Sequence, residues 1–297
     1  MTAPTIDLTN LTLESGGHGA RTQGVCLLEA VAWYAGEDHS DMPACVSPVL
    51  RSYGISLNDR LPHERRQELK QFIPALVGTA DDGLDDRRVE LATRTLMAEW
   101  LPAWLRLANL DDLAVQAESG ASLSGGELRR ALSAISDLTW QARREHRAQL
   151  KAAIEAELRK KWADQPAADV ADAVAVADAV AVAAAAAVAA ADAVAAADAV
   201  AAADAVAADV AVAAAVAVAA ADAAAAAAAA DVAVAVAVAV ARIEPYSNEW
   251  YEIRSKVYDA VRTHYEASDT FTAVRALRDQ QREDAIVLYR RMIEIAA

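Results

Sequence analysis

The sequence predicts an all-α protein. Three observations carry that expectation. Apolar residues recur three and four positions apart in most of the varied segments, and Pro, Ser and Gly stand where helices start and stop. Residues 167–241 consist only of 48 Ala, 18 Val and 9 Asp, and Ala is the strongest helix former. The tract divides the chain into four expected parts: a flexible leader over 1–21, an N-terminal helical domain over 22–165, an Ala/Val/Asp spacer over 166–244 and a C-terminal helical unit over 245–297.

In chain order, the opening MTAPTIDLTNLTLESGGHG lacks the basic start and apolar stretch of a secretory signal and reads as the leader. Residues 25–35, VCLLEAVAWYA, predict a short apolar helix closed by Gly36, and EDHSDMPACVSP predicts a loop. Ser47 and Pro48 form an N-cap and first-turn pair for a helix ending near Gly54. Pro62 opens HERRQELKQFI, with Leu69, Phe72 and Ile73 on one side and Pro74 breaking its end. After the acidic turn TADDGLDD, residues 87–110 place Leu91, Leu96, Trp100, Trp104 and Leu107 at helical spacing, with Pro102 bending the helix. The tryptophans read as core rather than as stacking platforms for a ligand.

Residues 122–135, SLSGGELRRALSAI, look like the signature segment of ABC-type ATPases. Such an enzyme also needs a phosphate-cradling GxxxxGK[ST] loop, and the chain contains no Gly-Lys pair. The segment reads instead as a capping box of Ser124 and Glu127 that starts a helix facing inward with Leu128, Leu132, Ile135 and Leu138 and continuing through Leu150, Ile154, Leu158 and Trp162. Beyond Pro245, Trp250, Ile253, Val257, Val261 and Tyr265 predict a further helix. A break near SDTFT precedes a last helix with Val274, Leu277, Ile286, Leu288, Met292 and Ile293. These stripes need a partner surface, and docking on the N-terminal helices would supply one.

The tract itself is expected to be helical, with β-structure and disorder as the alternatives, because Val232 to Val240 alternate strictly with Ala. One continuous helix would be a rod of about 110 Å at about 1.5 Å per residue. Asp192, Asp198 and Asp204 recur every six residues and would point to three sides of it, so no apolar stripe forms. Its longest charge-free stretch, between Asp178 and Asp192, is 13 residues, short of the roughly 20 that cross a bilayer. No membrane partner is expected.

The formal charge of −15 argues against nucleic acid as a partner. Two cysteines fall short of a disulfide framework and favour a cytoplasmic location with reduced thiols. No cofactor is implied. The densest group of reactive side chains is Cys26, Glu29, Glu37, Asp38, His39, Asp41 and Cys45. Cys26, just after Gln23 and Gly24 and near a helix start, is a candidate nucleophile with Gln23 as oxyanion donor, and His39, His63, His146 and His264 are candidate bases. The competing reading makes Cys26 a small buried apolar residue. Cys26, His39, Asp41 and Cys45 are candidate zinc ligands, although the close Cys pair of most zinc sites is missing.

The segments GVCLLEAVAWYAGEDHSDMPACVSPVL, LNDRLPHERRQELKQFIPALVGT and LYRRMIEI resemble an uncharacterised protein family of high-GC Gram-positive bacteria and their phages. Its Cys-Glu-Ala-Gly-Glu and Asp-Pro-Cys pattern is matched by Cys26, Glu29, Gly36, Glu37, Asp41, Pro43 and Cys45, ahead of an Ala-rich region of variable length. The resemblance implies a bacterial or phage cytoplasmic setting and a mostly helical fold, and it supplies no activity. The expectation is therefore a non-enzymatic interaction or structural protein, self-associating through the Ala-rich helix. The alternative is a cysteine-dependent hydrolase or transferase using Cys26.

Overall fold

The computed structural model describes residues 6–123, 125–161 and 269–295. Of these, 72% are helical and none lies in a strand, so the fold is all-α. The α-helices are α1 (Leu27–Ala35), α2 (Pro48–Arg60), α3 (His63–Arg66), α4 (Ile73–Leu76), α5 (Asp85–Thr95), α6 (Leu101–Leu107), α7 (Asp111–Ser119), α8 (Gly125–Lys161) and α9 (Asp269–Ile293). The spacer and the helix expected after Pro245 lie outside the described residues, as does Ser124 of the expected capping box. Among the described residues, no helix is long and apolar enough to cross a membrane.

Helix α1 starts at Leu27, two residues later than its apolar run. Cys26 adopts extended dihedrals as N-cap, its Sγ accepting from Glu29 N, while the Glu29 carboxylate accepts from Cys26 N. This is a capping box with a thiol in place of the usual hydroxyl. At the other end Gly36 takes a left-handed φ of 77° and Glu37 N reaches back to Ala32 O, which stops the helix where the sequence places its end.

Ser47 caps α2 through its Oγ, which accepts from Leu50 N at 3.2 Å, and Pro48 opens the first turn, both as expected. The helix does not stop near Gly54 but runs to Arg60. Gly54 is a packing residue: a Cβ there would sit 2.5 Å from the Tyr289 hydroxyl. The segment after Pro62 is less regular than one helix. It passes from α3 through a 3-10 stretch at Gln67–Phe72 into α4, where Pro74 occupies the first turn and Leu69, Phe72, Ile73 and Leu76 are buried.

Pro102 leaves its mark one turn earlier. Leu96–Trp100 forms a π turn between α5 and α6, with Leu101 N donating to Leu96 O. Proline lacks the N–H that Ala98 O would otherwise accept, and the wider turn absorbs the mismatch without ending the helical path. Trp100 and Trp104 are buried, as core residues should be. The path ends at Leu107, and Asn109 turns the chain with φ of 59°. Helix α7 contributes only Leu113, Ala114 and Ala117 to the interior, too thin a stripe to stand out in the sequence. Helix α8 packs with Leu128, Leu132 and Ile135, whereas Leu138 is exposed and the buried Thr139 follows the same stripe, its hydroxyl donating to Ile135 O.

Two segments assigned by the sequence to a flexible leader and to a C-terminal unit pack into this core. Within the expected leader, Leu13 is fully buried and Ile6 nearly so. Gln67 grips the backbone there with both ends of its amide: Leu13 N donates to Oε1 and Nε2 donates to Leu13 O, each at 2.9 Å. Leu11 O accepts from Lys70 Nζ, and Gly16 N donates to Asp59. Helix α9, expected in a separate C-terminal unit, buries Gln281, Ala285, Ile286, Leu288, Tyr289 and Met292 against α2, α5 and α6. Arg88, fully buried on α5, donates to Met292 O and pairs with Asp82 and Asp85. Burial works against its charge, but the two carboxylates outweigh that and hold the guanidinium above its ordinary value.

Candidate functional site

The N-terminus of α1 gathers the chemistry. Glu29 is 2% exposed, and a lone buried carboxylate would be strongly penalised. It is met from three sides. Cys26 N donates to Oε2 at 2.7 Å, His18 N donates to Oε1 at 2.6 Å, and His18 Nδ1 lies 2.9 Å from Oε2. An ionised carboxylate only accepts, so Nδ1 carries the His18 proton in that contact. His39 approaches from the far side, its Nε2 3.6 Å from Glu29 Oε1 and 2.8 Å from His18 O. Both neighbours are acceptors, which puts a proton on Nε2. His39 Nδ1 is buried with no hydrogen-bond partner among the described residues.

Local sequence explains why these groups converge. Gly24 has φ of 128°, and a Cβ there would come within 2.8 Å of His18 Nε2, so the imidazole sits where only glycine leaves room. Asn58, fully buried near the end of α2, accepts from Leu27 N and donates to Glu14 O, fixing the start of α1 to the incoming segment. Burial raises the Glu29 carboxyl, but the donors from Cys26 and His18 outweigh it and hold the group below its ordinary range.

A second carboxylate organises the loop that follows. Glu37 accepts from Ala44 N at 2.7 Å and Cys45 N at 2.9 Å, and Cys45 O accepts in turn from Gly78 N and Ala80 N. Burial raises the Glu37 carboxyl, but the Cys45 side chain and the backbone N–H groups of Ala44 and Cys45 outweigh it and hold the group low.

Both thiols are held above their ordinary value. Burial pushes Cys26 up to about 12, and the adjacent Glu29 carboxylate adds to the shift. Burial and Glu37 push Cys45 up to about 11. The favourable effect of a helix N-terminus on a thiolate is outweighed here by burial, to which the carboxylate held at the same terminus adds.

The structure therefore brings Cys26 and His39 to one centre, Glu29, and gives Cys45 a different carboxylate, Glu37. Asp41 lies beside Gly17, its Oδ2 3.5 Å from where a Cβ on that glycine would stand. Gln23, the candidate oxyanion donor, is exposed in a 3-10 turn at Arg21–Gln23. His63 sits 4.0 Å from Glu14, with half of its side chain exposed. His264 and the side chain of His146 lie outside the described residues. Among the described residues, no three His, Cys, Asp or Glu side chains are placed to hold a metal ion.

Sequence reasoning missed His18 because it assigned residues 1–21 to a mobile leader. The available signal was Cys26-x-x-Glu29, which has capping-box spacing with Cys as the cap, and the small residues Gly16, Gly17 and Gly19 flanking a lone histidine. Chemically, the arrangement can hold a buried negative charge and a proton beside it on His18, and it can pin the incoming chain to α1. A separate depression of about 200 Å³ on α5 is lined by Arg87, Glu90, Leu91, Arg94 and Ile295 and shares no residue with this cluster. Comparison of the chain with known protein families, with curated proteins and with solved structures finds no match.

Proposed function

We propose that this is a non-enzymatic interaction or structural protein that works in a cytoplasm, its reactive-looking side chains serving to hold the fold. One observation carries the reading: Cys26 is 4% exposed, and its sulfur caps α1 and sits against the Glu29 carboxylate. A nucleophilic cysteine needs a neighbouring cation or a free helix terminus to favour the thiolate, and this one faces an anion. Glu29 and His18 satisfy each other and the backbone around them, and His39 Nε2 donates to His18 O, which is the arrangement expected of an anchor. The spacer keeps the role expected from sequence, a scaffold-like segment and a surface for self-association.

The test is thiol labelling of the native full chain at neutral pH, compared with Cys26→Ala and Cys45→Ala. The expected result is slow labelling of Cys26 that accelerates only on unfolding or at strongly alkaline pH, where a thiol raised to about 12 begins to ionise. Rapid labelling that requires Cys26 and a folded chain would overturn the reading in favour of a cysteine-dependent hydrolase or transferase.

A further inference from the structure

Helix α9 is the last described element, yet it closes the core of the first third of the chain. The hydrogen bonds and ring contacts that seat its buried face come from residues 50–104. Trp104 Nε1 donates to Gln281 Oε1 at 2.8 Å, and Gln281 Nε2 donates to Trp100 O. Tyr53 donates to Ala285 O, and Tyr289 donates to Leu50 O. The Tyr289 ring stacks on Tyr53 at 5.5 Å and meets Phe72 edge-on at 5.4 Å. At the rim Arg65 pairs with Glu283, and Arg290 donates to Gln71.

Between Lys161, where α8 ends, and Asp269, where α9 begins, lie 107 residues. Connection length decides how strongly a segment prefers its own chain. For a flexible connection each doubling lowers the local concentration of the far end about threefold, so 107 residues give about a hundredfold less advantage than a helical-hairpin loop of about five residues. The receptor formed by α2, α5 and α6 therefore gains far less from having its own α9 attached than a hairpin connection would give it.

We propose that α9 is an exchangeable docking helix: the α9 of a second copy of this chain seats in the same receptor, giving a domain-swapped dimer. Both arrangements make the same contacts with α9, so their free-energy difference lies in the connection and in protein concentration. The surface takes one specific occupant, an amphipathic helix presenting Gln281, Ala285, Tyr289 and Met292 at intervals of four and three. The inference rests on this docking geometry and on the length of the connection, and would hold equally for an enzyme.

The test uses full-length chains in a Cys45→Ser background. Chains carrying Arg65→Cys and differently tagged chains carrying Glu283→Cys are mixed, unfolded and refolded together, then treated with a short bis-maleimide. The expected result is a covalent product joining the two tags, rising with protein over a roughly tenfold range of concentration. Chains carrying Arg65→Cys on both copies stay unlinked. The pair Gln71→Cys and Arg290→Cys repeats the experiment where one variant refolds poorly. Two outcomes overturn the proposal. One is crosslinking confined to a single chain bearing both cysteines, with no mixed product at any concentration. The other is equal linking of the Arg65→Cys control, which marks an ordinary surface dimer.

Discussion

Glu29 uses both carboxylate oxygens to accept, and it faces only donors. Glu29→Gln would turn one oxygen into an NH₂ group pointing at an N–H of Cys26 or His18. A buried donor facing a donor costs roughly 1–3 kcal/mol, which a urea midpoint at neutral pH would register. The pH dependence follows from the direction of the shift. The folded carboxyl lies below its ordinary value of 4.5, so its contribution is complete above 4.5 and is lost as pH falls through the lower folded value. The Gln variant is therefore expected to show a shallower acid limb than the parent. An unchanged acid limb would assign that stability to Glu37 and Asp82, which are also held low.

At the scale of elements, the α2–α9 crossing depends on Gly54. A Cβ at that position would also come within 3.1 Å of Leu28 Cδ2, so Gly54→Ala cannot be relieved by moving Tyr289 alone. Overpacking of this kind costs about 1–3 kcal/mol. Tyr289→Phe removes the hydroxyl that lies nearest and also loses its bond to Leu50 O. The double variant is expected to be less destabilised than the sum of the two, as a double-mutant cycle in urea would measure; strict additivity would show that the close approach is not what fixes the crossing. Sequence spacing located most elements because helix caps are local: Ser47, Pro48, Gly36 and Pro62 act within one turn of themselves. It misread Gly54 because a helix-breaking residue and a close-approach residue look the same until the partner, here 235 positions further on, is known. The π turn before Pro102 was likewise hidden, since the pattern of Leu96, Trp100 and Trp104 fits a bent α-helix equally well.

Across the whole molecule, α9 and the helices from residue 27 onward share one core, although the sequence divides them between two units. Long-range closure of this sort leaves no local signature, because the stripe on α9 announces only that it needs a partner. Tryptophan fluorescence of a chain in which Trp33, Trp140, Trp162 and Trp250 are replaced by Phe reports on Trp100 and Trp104, and amide hydrogen exchange reports on α9. In guanidinium both are expected to give the same midpoint, as one cooperative unit requires, whereas separated midpoints would make α9 an independent unit. The candidate site was legible only in part. Cys26, Glu29 and His39 lie close together in sequence, whereas His18 reaches Glu29 only because Gln67, Asn58 and Asp59 fasten the incoming chain.

That fastening has a consequence for how the N-terminal segment tolerates change. Gln67 offers one amide oxygen and one NH₂ group to the peptide unit at Leu13, so it acts as an adjacent strand would. It recognises direction and spacing and is indifferent to the side chain it holds. Position 13 is thus constrained by burial and volume, and exchange among apolar residues of similar size would leave the path from there to His18 undisturbed.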